Sequence, residues 1–123
     1  MIKTEGLYHI HLLVHDLERS LRFYHQVFGL QELFRSGPHM VFLSTPGGRD
    51  LITLNQDATE AAKAGDNGGI AHFGFRLVDQ ADLGAAIAEV TGAGGRLLSQ
   101  GEHAPGVPFA YVADPDGYVI ELG

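Results

Sequence analysis

The stretch HIHLLVHDL, residues 9–17, decides the fold, because it returns 63 residues later as HFGFRLVDQ, residues 72–80. The same spacing separates His9 from His72, Asp16 from Asp79, Val27 from Val90, and Gly29 from Gly92. Four coincidences at one spacing indicate a duplicated structural unit. The chain of 123 residues is therefore expected to consist of two related modules.

The periodicity of apolar residues predicts the same order of elements in each module, namely a strand, a helix and three strands. The first module is predicted to have strands at 7–14, 31–36, 40–44 and 51–54 and a helix at 16–28. The second is predicted to have strands at 70–77, 96–99, 109–113 and 118–122 and a helix at 80–93. We expect one domain, 1–123, with modules at about 6–55 and 70–123 and a polar linker at about 56–69.

Composition excludes several classes of function. The net charge of −7 disfavours nucleic acid and anionic membrane surfaces as partners. The chain has no cysteine, so disulfides, thiolate metal sites and thiol nucleophiles are excluded. The sequence shows neither a signal peptide nor a long apolar segment, and we expect a soluble, cytoplasmic protein.

Three residues, His9, His72 and Glu121, lie at matching strand positions of the repeat. Side chains alternate along a strand, so each of the three faces away from the aliphatic residues beside it. A solvated strand face would show the same alternation. Two imidazoles and one carboxylate, however, are the ligand set of a divalent metal with open coordination positions. The sequence therefore predicts a metal site, and with it an enzyme.

With these residues the chain resembles the vicinal oxygen chelate superfamily, which includes glyoxalase I, extradiol dioxygenases and bleomycin-resistance proteins. The resemblance covers nearly the whole chain, and it is carried by residues 9–17, Ser20, Phe23-Tyr24, 28–30, 72–75 and 114–122. It implies an α+β fold in which paired βαβββ modules form a curved, cup-like mixed sheet with the helices on its outer face. It also implies metal ligation by His9, His72 and Glu121, a small-molecule substrate and a homodimer.

Within this superfamily the sequence favours extradiol ring cleavage. That signature joins a His, a Tyr, an Asx-Pro-x-Gly turn and the ligand Glu, which correspond here to His103, Tyr111, residues 114–117 and Glu121. Ala110 departs from it, because a larger apolar residue usually precedes the Tyr. Glyoxalase I usually supplies a further carboxylate where this chain has Thr53. The resemblance thus favours Fe(II) or Mn(II), with Zn(II), Ni(II) or Co(II) as alternatives.

In this interpretation His103 and Tyr111 are the catalytic residues. His103 would move a proton to and from the substrate or oxygen, and Tyr111 would hydrogen-bond the chelated oxygen. The alternatives are a solvated loop histidine and a half-buried strand aromatic. Two other functions stay open at this point: a glyoxalase- or epimerase-like lyase or isomerase, and a metal-free protein that sequesters a ligand.

Overall fold

The fold is taken from a computed structural model, which describes residues 1–65 and 69–123. The chain divides into two compact units, Met1–Ala61 and Ala62–Gly123. The first contains β1 (His9–Val14), α1 (Leu17–Phe28), β2 (Gln31–Arg35), β3 (Met40–Ser44), β4 (Leu51–Gln56) and α2 (Ala58–Ala61). The second contains β5 (Phe73–Phe75), a 3-10 turn (Gln80–Asp82), α3 (Leu83–Gly92), β6 (Arg96–Ala104), β7 (Val107–Ala113) and β8 (Val119–Leu122).

Each unit has a four-stranded mixed sheet of the same topology. The strand orders are β1-β4-β3-β2 and β5-β8-β7-β6. In each sheet the first and last strands of the unit pair in parallel, and the remaining pairs are antiparallel. The predicted α+β fold of two βαβββ modules is therefore confirmed, and so is the duplication. The predicted organisation as a single domain stays a prediction.

In the first unit, α1 packs on β3 and β4 and forms the core with them. The helix begins after Asp16, whose carboxylate accepts a hydrogen bond from Arg19 N at 3.0 Å, and it ends at Gly29 in the left-handed conformation. Phe23 and Tyr24 are buried against the aliphatic face of the sheet. The other face of β1 carries the exposed His9 and His11, as side-chain alternation predicted.

In the second unit, a buried turn connects β7 to β8. Asp114 is 3% exposed, and its Oδ1 accepts hydrogen bonds from the backbone N–H groups of Asp116, Gly117 and Tyr118 at 3.0, 3.0 and 2.9 Å. Gly117 has a φ of 106°, which favours glycine, and a Cβ there would lie 3.1 Å from the backbone oxygen of Ala64. This turn fixes the start of β8 and therefore the position of Glu121 on that strand.

Several predicted bounds differ from those observed. The second-module helix begins as a 3-10 turn, and β5 is only three residues long. β6 continues to Ala104, five residues beyond its predicted end at Ser99. The predicted linker 56–69 includes the last residue of β4 and the short helix α2, and its residues 66–68 lie outside the described part of the chain. In the described ranges no helix is long and apolar enough to cross a membrane.

The buried turn gives a first prediction. Replacing Asp114 with Ala removes the side-chain acceptor of three backbone N–H groups, of which that of Gly117 keeps the backbone oxygen of residue 114 at 3.0 Å, and we expect the free energy of unfolding to fall by about 2–4 kcal/mol. Urea denaturation followed by circular dichroism measures the change. The matched control is Asp82→Ala, because the Asp82 side chain makes no capping hydrogen bond at the start of α3. Equal effects of the two substitutions would contradict the role assigned to Asp114.

Candidate metal and catalytic site

The candidate site is built on one face of the second sheet. Gly74 on β5 lies opposite Glu121 on β8, and Tyr111 on β7 lies opposite Glu121 on its other side. A Cβ at Gly74 would lie 3.0 Å from the Glu121 backbone oxygen and 3.3 Å from its Cβ. Because residue 74 has no side chain, the space beside Glu121 stays open, and His72 and Arg76, which flank β5, lie two residues before and after Gly74.

Glu121 is the centre of this face. His72 Nε2 lies 2.9 Å from its Oε2, and His103 Nε2 lies 2.7 Å from its Oε1. A carboxylate only accepts hydrogen bonds, so the His103 imidazole donates from Nε2, and His72 Nε2 lies in close polar contact with the same carboxylate. The Glu121 side chain is 24% exposed, against 35% for His72 and 51% for His103. The predicted ligand His72 and the predicted catalytic residue His103 therefore meet at the half-buried carboxylate of Glu121, which is itself a predicted ligand.

Tyr111 is the third partner of this carboxylate. Its hydroxyl hydrogen-bonds Glu121, and its ring centroid lies 4.8 Å from that of His72. The hydrogen bond from His103 lowers the pKa of Glu121, although burial partly opposes the shift. Burial raises the pKa of the Tyr111 phenol, and the charge of Glu121 adds to that effect. Glu121 is thus held as a carboxylate and Tyr111 as a neutral hydrogen-bond donor.

His103 lies on the long strand β6, whereas its flanking sequence is also typical of a flexible surface loop. Pro105 and Gly106, the latter with a φ of 78°, form the two-residue turn between β6 and β7. Pro at the second and Gly at the third position of a turn is a signal for this hairpin that the sequence contains. The register of the two strands shifts between Glu102 and Ala104, on either side of His103.

Phe109 is a contact that the sequence reasoning missed. Its ring stacks on the His103 imidazole, with the centroids 4.1 Å apart and the planes 17° from parallel. Gly101 on β6 lies opposite Phe109, and a Cβ there would contact the ring at 3.3 Å. Phe109 and Tyr111 have the two-residue spacing of one strand face, which could have indicated a shared site.

An open cleft of about 600 Å³ lies along this face of the second unit. Its lining includes His72, His103 and Glu121 but not Tyr111, and it contains two polar side chains, Arg76 and Gln80, that the sequence did not single out. The cleft is lined by His72, Phe73, Gly74, Phe75, Arg76, Gln80, His103, Val107, Pro108, Glu121 and Gly123. His72, His103 and Glu121 are therefore accessible to a small molecule.

His9 belongs to the first unit, where it is exposed on β1 and pairs with Leu51 of β4. Thr53, also on β4, is buried and lies opposite His11, just as Glu121 lies opposite Gly74. His11 and Gly74 are related by the same spacing of 63 residues, so Thr53 is the structural equivalent of Glu121. Within the described residues, neither unit by itself places three His, Asp or Glu side chains so that they could hold a metal ion.

Comparison with known proteins identifies the family. The profile of the Glyoxalase/Bleomycin resistance protein/Dioxygenase superfamily matches residues 6–122. The chain belongs to this superfamily. The resemblance that the sequence motifs indicated is therefore confirmed, and members of the superfamily share the paired βαβββ modules described above.

Relatives within the superfamily carry different activities in their names. The chain is 33% identical over 112 residues to a catechol-2,3-dioxygenase of Bacillus subtilis, covering 90% of this chain but only 38% of that protein. It is 31% identical over 126 residues to a probable lactoylglutathione lyase of Vibrio parahaemolyticus, covering 93% of this chain and 86% of the relative. Superfamily membership therefore establishes the fold and leaves the reaction to be argued from the site.

A solved structure shows the same fold with a metal. It is a mutant fosfomycin resistance protein of Listeria monocytogenes complexed with Mn(II) and 1S,2S-dihydroxypropylphosphonic acid. The TM-score is 0.78 at 21% identity, and the match covers 98% of this chain and 90% of that chain.

The donor set of the second unit fits a divalent metal. Two ligand atoms at right angles around a metal with bonds of about 2.1 Å are separated by about 3 Å. His72 Nε2 and Glu121 Oε2 lie 2.9 Å apart, which suits two neighbouring ligands of one ion. Metal binding through His72 Nε2 requires that this nitrogen carries no proton, because a ligand atom needs its free lone pair.

The stacked ring gives the prediction for this site. We expect Phe109→Leu to shift the His103 ring-proton resonances downfield, because those protons lose the shielding of the aromatic face. Phe109→Tyr keeps a ring and should leave the resonances in place, and Phe34→Leu in the first unit is a further control. NMR spectra assigned with His103→Gln measure the shift. Unchanged resonances in Phe109→Leu would show that the two rings do not stack in solution.

Proposed function

We propose that this chain is a metal-dependent enzyme acting on a small substrate with two adjacent oxygens, and that it cleaves the ring of a catechol with dioxygen. The observation that carries the proposal is the meeting of His72, His103 and Tyr111 at the Glu121 carboxylate. The similarity to a catechol-2,3-dioxygenase supports it. In the reaction a ring carbon–carbon bond beside the hydroxyls breaks, and both atoms of dioxygen enter the product.

The metal ligands in this proposal are His9, His72 and Glu121. The third ligand, His9, would come from the same chain or from the second copy of a homodimer. Fe(II) or Mn(II) is favoured, because two imidazoles and one carboxylate leave coordination positions open. When bound, such a metal would be chelated by the adjacent oxygens of the substrate, and it would supply the chemistry of oxygen activation.

The protein's own contribution lies in proton transfer and orientation. In this proposal the His103 imidazole would take up a proton released by a substrate hydroxyl and return it during ring opening, and it would do so through Nδ1, because Nε2 donates to Glu121. The neutral Tyr111 hydroxyl, which hydrogen-bonds Glu121 in the structure, would donate to a negatively charged substrate oxygen in this proposal. The stack on Phe109 limits the orientations that the His103 imidazole can adopt.

A lyase or isomerase of the glyoxalase type is the second candidate. The observation that favours it is the lactoylglutathione lyase relative, of which this chain covers 86%. In that case the metal would act as a Lewis acid on an enediolate, and His103 would be the base that moves a carbon-bound proton. The buried Thr53 stands against a glyoxalase I site, because it replaces the further carboxylate of that site.

The proposal predicts bound metal and oxygen consumption. Protein purified without oxygen should contain about one Fe(II) or Mn(II) per chain and should consume oxygen with catechols. His72→Ala and Glu121→Gln should each weaken metal binding by more than about 100-fold, because each removes a proposed ligand. Elemental analysis and an oxygen electrode provide the measurements. His39→Ala is the control, because His39 lies on an exposed loop of the first unit.

Each outcome separates the candidates. Bound metal without oxygen uptake across a panel of catechols contradicts the dioxygenase and leaves the lyase or isomerase. Protein that binds no metal, and in which His9→Ala leaves folding and ligand affinity unchanged, contradicts both enzymes. That second result would make the chain a ligand-sequestering protein.

His103 and Tyr111 give a further prediction. His103→Gln should lower kcat by about 10²–10⁴-fold, the usual contribution of general acid–base catalysis, and the metal should stay bound. Tyr111→Phe should lower kcat by about 10-fold, because it removes one hydrogen bond. Steady-state kinetics and metal analysis of the same samples measure both effects. Loss of metal in His103→Gln would instead identify His103 as a ligand.

A further inference from the structure

Arg76 is the charged residue of the cleft that the proposed mechanism does not use. It lies directly after β5 and is exposed. Among the described residues its guanidinium has no hydrogen bond or ion pair. Arg35, by contrast, binds Glu18 at 2.7 Å and Glu32 at 2.6 Å. The positive charge of Arg76 is thus available in a cleft that a small molecule can enter.

The position of Arg76 relates it to the proposed metal ligands. His72, Gly74 and Arg76 alternate on one face of the strand, and four residues of extended chain span roughly 13 Å. Gly74, between them, has no side chain to block the way from Glu121 towards the guanidinium. Gln80 also lines the cleft and supplies an amide near the start of the 3-10 turn. The cleft lining therefore combines a carboxylate and two imidazoles with one cation, Arg76.

The charge of Arg76 determines which group of a substrate it can bind. A protein with a net charge of −7 repels small anions in general, so an anionic substrate needs a fixed cation to bind it. A guanidinium binds a carboxylate through two parallel, charge-assisted hydrogen bonds. Glu121 repels a carboxylate and Arg76 attracts it, so the two charges together orient a substrate along the cleft.

We propose that Arg76 binds a carboxylate of the substrate, and that the substrate class is a catechol with a carboxylate on a side chain opposite its two hydroxyls. The inference rests on the proposed function, because the adjacent oxygens define the other end of the substrate. Arg76 lies two residues beyond Gly74, which is opposite Glu121, so we expect a spacer between the carboxylate and the ring oxygens.

The test compares 3-(3,4-dihydroxyphenyl)propanoate with its primary amide, which has nearly the same shape and no charge. Anaerobic calorimetry on the purified protein should show the acid binding about 10- to 100-fold more tightly than the amide. Arg76→Gln should abolish this preference and leave the affinity for the amide unchanged. Arg76→Lys should restore part of it, because the charge returns without the planar fork. Arg49→Gln, on a loop of the first unit, should keep the full preference.

Equal affinity of the natural protein for acid and amide overturns the assignment, and so does a preference that survives in Arg76→Gln. 3-Phenylpropanoate, which lacks the hydroxyls, separates this inference from the proposed function. If it binds as tightly as the dihydroxy acid, with an affinity that depends on Arg76, the proposed recognition of adjacent oxygens fails and the assignment of Arg76 stands.

Discussion

The parallel pairing of β5 with β8 is the constraint on which the candidate site depends. It places Gly74 opposite Glu121, and His72, two residues before Gly74, contacts the carboxylate. Antiparallel pairing with β7 then places Tyr111 on the other side of Glu121. Because side chains alternate along every strand, the same register that buries Ile120 and Leu122 turns Glu121 towards the cleft. Core packing and site geometry are therefore consequences of one register.

The carboxylate that results is surrounded by hydrogen-bond donors. His103, His72 and Tyr111 all contact Glu121, so its charge is compensated although the side chain is half-buried. Without these donors, removing the carboxylate from water would be unfavourable. The network also orders the two imidazoles before any ligand arrives, which lowers the cost of organising the site. Phe109 contributes from the apolar side by stacking on His103.

The duplicated fold is symmetric in its backbone and asymmetric in its chemistry. β1 and β4 repeat the register of β5 and β8, yet Thr53 stands where Glu121 stands in the second unit. The relatives named as dioxygenase and lyase share one superfamily with this chain, so the fold alone does not select a reaction. We propose that individual side chains, such as Thr53 and Arg76, distinguish one activity from another.

The sequence by itself determined the duplicated modules and the order of their elements. It also determined that His72 and Glu121 face away from the aliphatic residues beside them. Those features follow from local periodicity and from the spacing of 63 residues, which one chain displays without an alignment. The extension of β6 to His103, the Phe109 stack and the place of Arg76 in the cleft required the tertiary structure. They depend on the register of β6 with β7 and on the short β5, and pairing between distant strands is set by contacts that no local pattern records.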